Sequence, residues 1–165
     1  MTFRPSIVRS AAAVLSVVCL AAAAPATAGL RVEFIAPERY TDAHLDHFQG
    51  IDQRVLQILE QHLQGWASRC LPASAELHIR ILDIDLAGQQ SWAGIQHPRI
   101  MREVTWPGIN LAYTLHLSDG KVSEARQRVI DMHYLSHSAY LRSDSMPLPY
   151  ERLMLGNWFE QTFCR

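Results

Sequence analysis

ELHIRILDIDL, residues 76–86, decides the fold. Leu77, Ile79 and Ile81 share one parity, and Leu82, Ile84 and Leu86 share the other. Strand side chains alternate between faces with a period of two, so the slip at Ile81–Leu82 needs an extra residue to absorb it. A β-bulge there keeps all six apolar side chains on the core face and sends Asp83 and Asp85 to the other. An unbroken strand would bury two charges, at several kcal/mol unless they were paired. The sequence therefore predicts a bulged strand whose aspartates leave the core and pair with Arg99 and Arg102, in the segment that follows.

Upstream, Leu30-Arg31-Val32-Glu33-Phe34 alternates as a half-buried strand and Pro37 ends it. Thr41 or Asp42 then reads as an N-cap. Leu45, Phe48, Ile51, Val55, Leu59, Leu63 and Trp66 recur every three or four residues, which predicts one helix to about Ser68, closed by Pro72. On that helix Asp52 falls inside the apolar stripe, with His44 and His62 near its edge. A carboxylate there needs a partner or a shifted pKa.

Downstream, Gly88 to Pro98 reads as a loop and Ile100 to Trp106 as a strand stopped by Pro107-Gly108. Ile109, Leu111, Tyr113, Leu115 and Leu117 alternate cleanly, and Asp119-Gly120 is a hairpin signal. The return segment Lys121 to Leu135 is read as a strand because of that turn, although Val122, Ala125, Val129 and Met132 also fit a helix. After a polar loop from Ser136 to Met146, Pro149 opens a last helix through Trp158, Phe159 and Phe163. The order β-α-β-(β)-β-β-α implies an α+β, two-layer sandwich: a mostly antiparallel sheet of four to five strands with both helices on one face.

Residues 1–28 have the layout of a secretory signal peptide. Arg4 and Arg9 precede the small and apolar run Ala11 to Ala24, and Ala26-Thr27-Ala28 fits the cleavage pattern. Cys19 follows Val18, where lipoprotein processing wants a small residue. Removing 28 of the 165 residues leaves 137, a usual size for one domain, expected over 29–165. Taking Arg4 and Arg9 from the 15 basic residues leaves 13 against 16 acidic ones, a net charge near −3. That balance argues against a nucleic-acid partner, and no later stretch is long and apolar enough to cross a membrane. Two cysteines then remain, Cys70 and Cys164, which in an oxidising compartment pair as a disulfide.

The stretches PERYTDA, DIDLAG, RIMREVTWPGINLAYTL, GKV, DMHYL and LPYERLMLGNWFEQTF together resemble a family of exported bacterial proteins known only as domain of unknown function 3016. The resemblance implies a Gram-negative envelope protein. It brings no activity, substrate or catalytic residue, and the Cys70/Cys164 pair and the histidine richness are not attributed to it.

Eight histidines raise metal binding. His44 and His47 are spaced i, i+3 and His133 and His137 i, i+4, but no H-E-x-x-H or C-x-x-C motif accompanies them, and neither a metal nor a cofactor is expected. No G-x-S-x-G elbow, P-loop or dinucleotide fingerprint is present. The catalytic candidates are Asp83 and Asp85, with Asp52 and His97; the binding candidates are Arg99, Arg102 and Trp106. The function read here is a non-enzymatic binding or accessory module of the periplasm, taking an envelope protein, lipid or glycan. The alternative is a metal-dependent or carboxylate-based hydrolase using Asp83 and Asp85. An exposed apolar patch or unpaired strand edge favours the module. A deep pocket holding both aspartates and a histidine favours the enzyme.

Overall fold

The slip at Ile81–Leu82 is a β-bulge. In a computed structural model of the protein, which describes residues 29–45, 51–91, 98–138 and 146–164, Ile81 pairs with Leu111 and Asp83 with Asn110, leaving Leu82 unopposed. The Ile81 carbonyl accepts two bonds, from the Ile35 N–H and the Tyr40 hydroxyl, each 2.9 Å. The carbonyl at the bulge is thus satisfied twice over. Five of the six apolar side chains reach the core, not all six. Leu82 is half-buried because the bulge opposes two residues to one.

The elements run β1 (Gly29–Phe34), α1 (Gln53–Cys70), β2 (Glu76–Asp85), β3 (Gln89–Gln90), β4 (Arg99–Ile100), β5 (Gly108–His116), β6 (Val122–Ile130) and α2 (Pro149–Phe163). The main sheet has the order β1-β2-β5-β6, with β1 parallel to β2 and the other pairs antiparallel. The fold is α+β: a mixed sheet with two helices against it, and β3-β4 as a small second sheet. Leu117 N–H bonds the Lys121 carbonyl, and Gly120, at φ +82°, turns the β5-β6 hairpin in a left-handed conformation suited to glycine.

One core joins the helices to one face of the sheet. Val55, Leu59 and Leu63 of α1 and Leu155, Phe159 and Phe163 of α2 pack with Ile79, Ile81, Ile84, Ile109 and Leu111. The helices cross closely at Gly156, where a Cβ would come within 2.5 Å of the Trp66 ring. Cys70 and Cys164 are joined at the ends of the two helices, with Cα atoms 4.7 Å apart. Closing that 94-residue separation contributes up to about 4 kcal/mol on the chain-entropy account. No described helix is long and apolar enough to cross a membrane.

Four sequence expectations are corrected. The first helix starts at Gln53, not after Thr41 or Asp42. Asp42 is instead held extended beside the end of β2: its N–H bonds the Ile84 carbonyl at 2.8 Å and its carbonyl accepts from Leu86 at 3.0 Å. Residues 46–50, with Phe48 and His47, lie outside the described residues, as do residues 1–28, expected to be a signal peptide, and His97. Asp52 is the N-cap rather than a member of the apolar stripe, accepting from the Arg54 amide at 3.1 Å. The expected strand Ile100–Trp106 is reduced to Arg99–Ile100. Beyond it Tyr134, fully buried, ties a turn by accepting from the Arg102 N–H and donating to its carbonyl. The return strand ends at Ile130, short of Leu135, and a 3-10 turn over Tyr134–His137 follows.

Candidate functional site

Past the bulge, the end of β2 meets the segments 41–45 and 86–88, β4 and the first turn of α2. Arg99 binds them together. Its Nη1 donates to Asp42 Oδ2 at 2.8 Å and its Nη2 to Asp42 Oδ1 at 2.9 Å, a bidentate fork. The same two nitrogens donate to the carbonyls of Ala87 (3.3 Å), Gly88 (3.0 Å) and His44 (2.7 Å). Gly88 sits at φ +78°, and a Cβ there would meet the Ile100 carbonyl at 2.9 Å and the Arg99 side chain at 3.1 Å. A glycine is what lets β4 and its arginine approach this closely.

Glu151, 2 % exposed, faces the same spot from α2 and accepts from the Ala87 N–H at 2.6 Å. Burial pushes its carboxyl above the ordinary range, against the opposing pull of that amide. It borders a cleft of about 170 Å³ whose walls are chiefly Leu45, Leu86, Met101, Leu148 and Pro149. Leu148, left-handed at φ 52°, swings the chain into α2 and so carries Glu151 inward.

The predicted partners of Asp83 and Asp85 are not the observed ones. Arg99 belongs to Asp42, while Asp83 accepts from the Thr41 N–H at 2.7 Å and the Thr41 hydroxyl at 2.9 Å. Arg102 engages through its backbone, and its side chain is exposed. The reason is the bridge between Asp42 and Asp85, which brings residues 41 and 42 alongside β2 before residues 99–102 can reach it. Asp85 is pushed up by burial and by the Asp42 carboxylate, while Arg128 pulls it down. Asp52 is capped by Leu45 and Arg54 at the far side of the 41–45 segment. Burial raises its pKa, but those bonds outweigh it and hold the carboxyl below the usual range. Trp106 is half-buried ahead of Pro107. Among the described residues no group of three His, Cys, Asp or Glu side chains is placed to hold a metal ion.

Asp42 and Glu151 were not singled out from the sequence as site residues. Glu151 had a signal: it heads the i, i+4 series Leu155, Phe159, Phe163 and therefore points to the core. Asp42 had none, since its cap-like context suited a helix start equally well.

The second notable surface is the far edge of the sheet. The bonds Leu117 N–H to Lys121 and Asp131 N–H to Pro107 place the odd-numbered residues of β6 toward β5. Val122, Glu124, Arg126, Arg128 and Ile130 therefore turn their N–H and C=O groups outward, and no described strand pairs with them. Their side chains lie on the face away from the helices, in rows with Arg80 and Ala112 or with Thr114 and His78. Val122 is 57 % and Ile130 40 % exposed. Beside the last half of this edge runs a groove of about 350 Å³. Neither the groove nor the cleft at Glu151 has Asp83 or Asp85 in its wall.

A family model described as "Protein of unknown function (DUF3016)" matches residues 28–161. No curated protein matches the chain. Among solved structures, the crystal structure of a minor lipoprotein from Acinetobacter baumannii is 10 % identical over 81 % of this chain and 87 % of that one, with a TM-score of 0.21. A likeness that slight carries nothing over to this protein.

Proposed function

Since the chain belongs to the DUF3016 family, we propose that it is an exported periplasmic protein of a Gram-negative envelope that acts by binding rather than by catalysis. In this reading residues 1–28 are a cleaved signal peptide and residues 29–165 one domain. The partner is an envelope protein that adds an extended segment to β6. A lipid or glycan partner has no comparable feature in its favour.

One observation carries the reading: nine residues of regular strand end the sheet with an outward row of backbone donors and acceptors that no described strand pairs. Main-chain groups of this kind are a template for strand addition. The hydrolase reading has less behind it, because both oxygens of Asp83 are occupied by Thr41 and neither aspartate borders the cleft or the groove.

The test is Glu124→Pro, which removes one outward N–H and obstructs the edge without touching a bond to β5. Envelope extract is passed over immobilised wild-type and variant protein, with circular dichroism and thiol titration as checks on the fold. A protein retained by the wild type and lost by the variant supports the proposal. Equal retention by both rules the edge out.

A further inference from the structure

The groove along β6 and the charges beside it say what kind of segment fits. Its near wall is the edge from Gln127 to Asp131, and Met154, Asn157, Trp158 and Gln161 of α2 form the far wall. A chain added to β6 would alternate its side chains, one set entering this groove and the other lying over the open sheet face. On that face the chain would run beside Arg126 and Arg128, consecutive same-face residues of β6. Neither makes an ion pair with a described residue, although the Arg128 charge also acts on the Asp85 carboxyl. Arg128 lies across Gly108, where a Cβ would meet its guanidinium at 3.3 Å, and Arg126 is exposed.

Building on the strand-addition reading, we propose that the occupant is an extended segment of a partner protein with acidic side chains at two alternating positions, in register with Arg126 and Arg128. The intervening side chains enter the groove, where amide and thioether groups accept medium-sized polar or flexible apolar residues. The cross-strand Cβ distance of about 5 Å suits carboxylate–guanidinium pairing. A second copy of this chain, its β6 run antiparallel over all nine residues, would set Glu124 against Arg128 on either side but Arg126 against Arg126 at the centre, whereas an acidic segment matches both arginines.

The experiment uses two capped, threonine-rich peptides of the length of β6. One has glutamate at two alternating central positions and the other has lysine there. Each is titrated into the disulfide-bonded protein, with amide shifts and hydrogen exchange followed by NMR. Each matched pair contributes about twofold to fivefold, so the glutamate peptide should bind roughly tenfold tighter. The outward amides of Glu124, Arg126 and Arg128 should gain protection, and added salt should narrow the preference. Arg126→Glu, an exposed change that leaves the melting temperature near wild type, should bring the two peptides to about equal affinity, since Arg128 alone then favours glutamate. If both peptides protect the edge equally, strand addition stands and the acidic partner is refuted. If neither protects it, the strand-addition reading fails as well. If the same amides are protected in protein alone and sedimentation shows a dimer, the occupant is a second copy and the proposal is overturned.

Discussion

Removing Arg99 should be the most damaging single polar substitution in this protein. Its side chain is 14 % exposed and its partner's 24 %, so water reaches the pair only partly. The guanidinium makes two bonds to Asp42 and three to carbonyls of separate segments. Breaking a fully buried pair costs about 3–5 kcal/mol because one charge is stranded. Allowing for the residual exposure of Asp42, Arg99→Ala should cost about 2–4 kcal/mol. For a domain of this size that lowers the melting temperature by roughly 10 °C. Lysine keeps the charge but cannot fork, so Arg99→Lys should cost about half as much. Denaturant titrations of Arg99→Ala, Asp42→Asn and the double variant, with the disulfide intact, would yield a coupling of about 1–3 kcal/mol. A cost below about 1 kcal/mol for Arg99→Ala, or additive single variants, would show a solvated surface pair and refute the reasoning.

The remaining predictions follow from burial and packing. His62 is pushed down to about 4, first by burial and then by Arg152. The unfolded chain takes up the proton near pH 6.5 and the folded one only near pH 4, so about 3 kcal/mol of stability present above pH 6.5 should be lost on acidification. His62→Gln should flatten that profile in pH-dependent urea titrations. Asp85→Asn should leave stability at neutral pH unchanged or raised, because burial already disfavours its charge, whereas Asp83→Asn should cost about 1 kcal/mol by weakening the Thr41 bonds. Thermal melts of the two variants falling equally would contradict this. Gly156→Ala should destabilise by about 1–3 kcal/mol, since the Trp66 ring must move, despite the better helix propensity. An unchanged denaturation midpoint would show that the ring yields freely.

The sequence by itself determined what depends on neighbours within a few residues. The parity change at Ile81–Leu82 is a bulge, Asp119-Gly120 is a hairpin turn, and Pro149 begins the last helix. The alternation from Ile109 to Leu115 is a central strand. Periodicity and turn chemistry are local, so they survive in a bare string of residues. Only the tertiary structure decided which charge meets which. Arg99 was legible as a partner for a carboxylate, but Asp42 lies 57 residues away, and the choice between it and Asp83 or Asp85 depended on segment 41–45 bridging to β2. The same bridge holds Thr41 and Asp42 extended and passes the helix cap to Asp52, a switch that cap propensity alone does not reveal because all three residues suit the role. The open edge of β6 was hidden for a related reason. A strand's own sequence sets its two faces, whereas its place at the centre or the rim of a sheet is fixed by which strands the rest of the chain lays beside it.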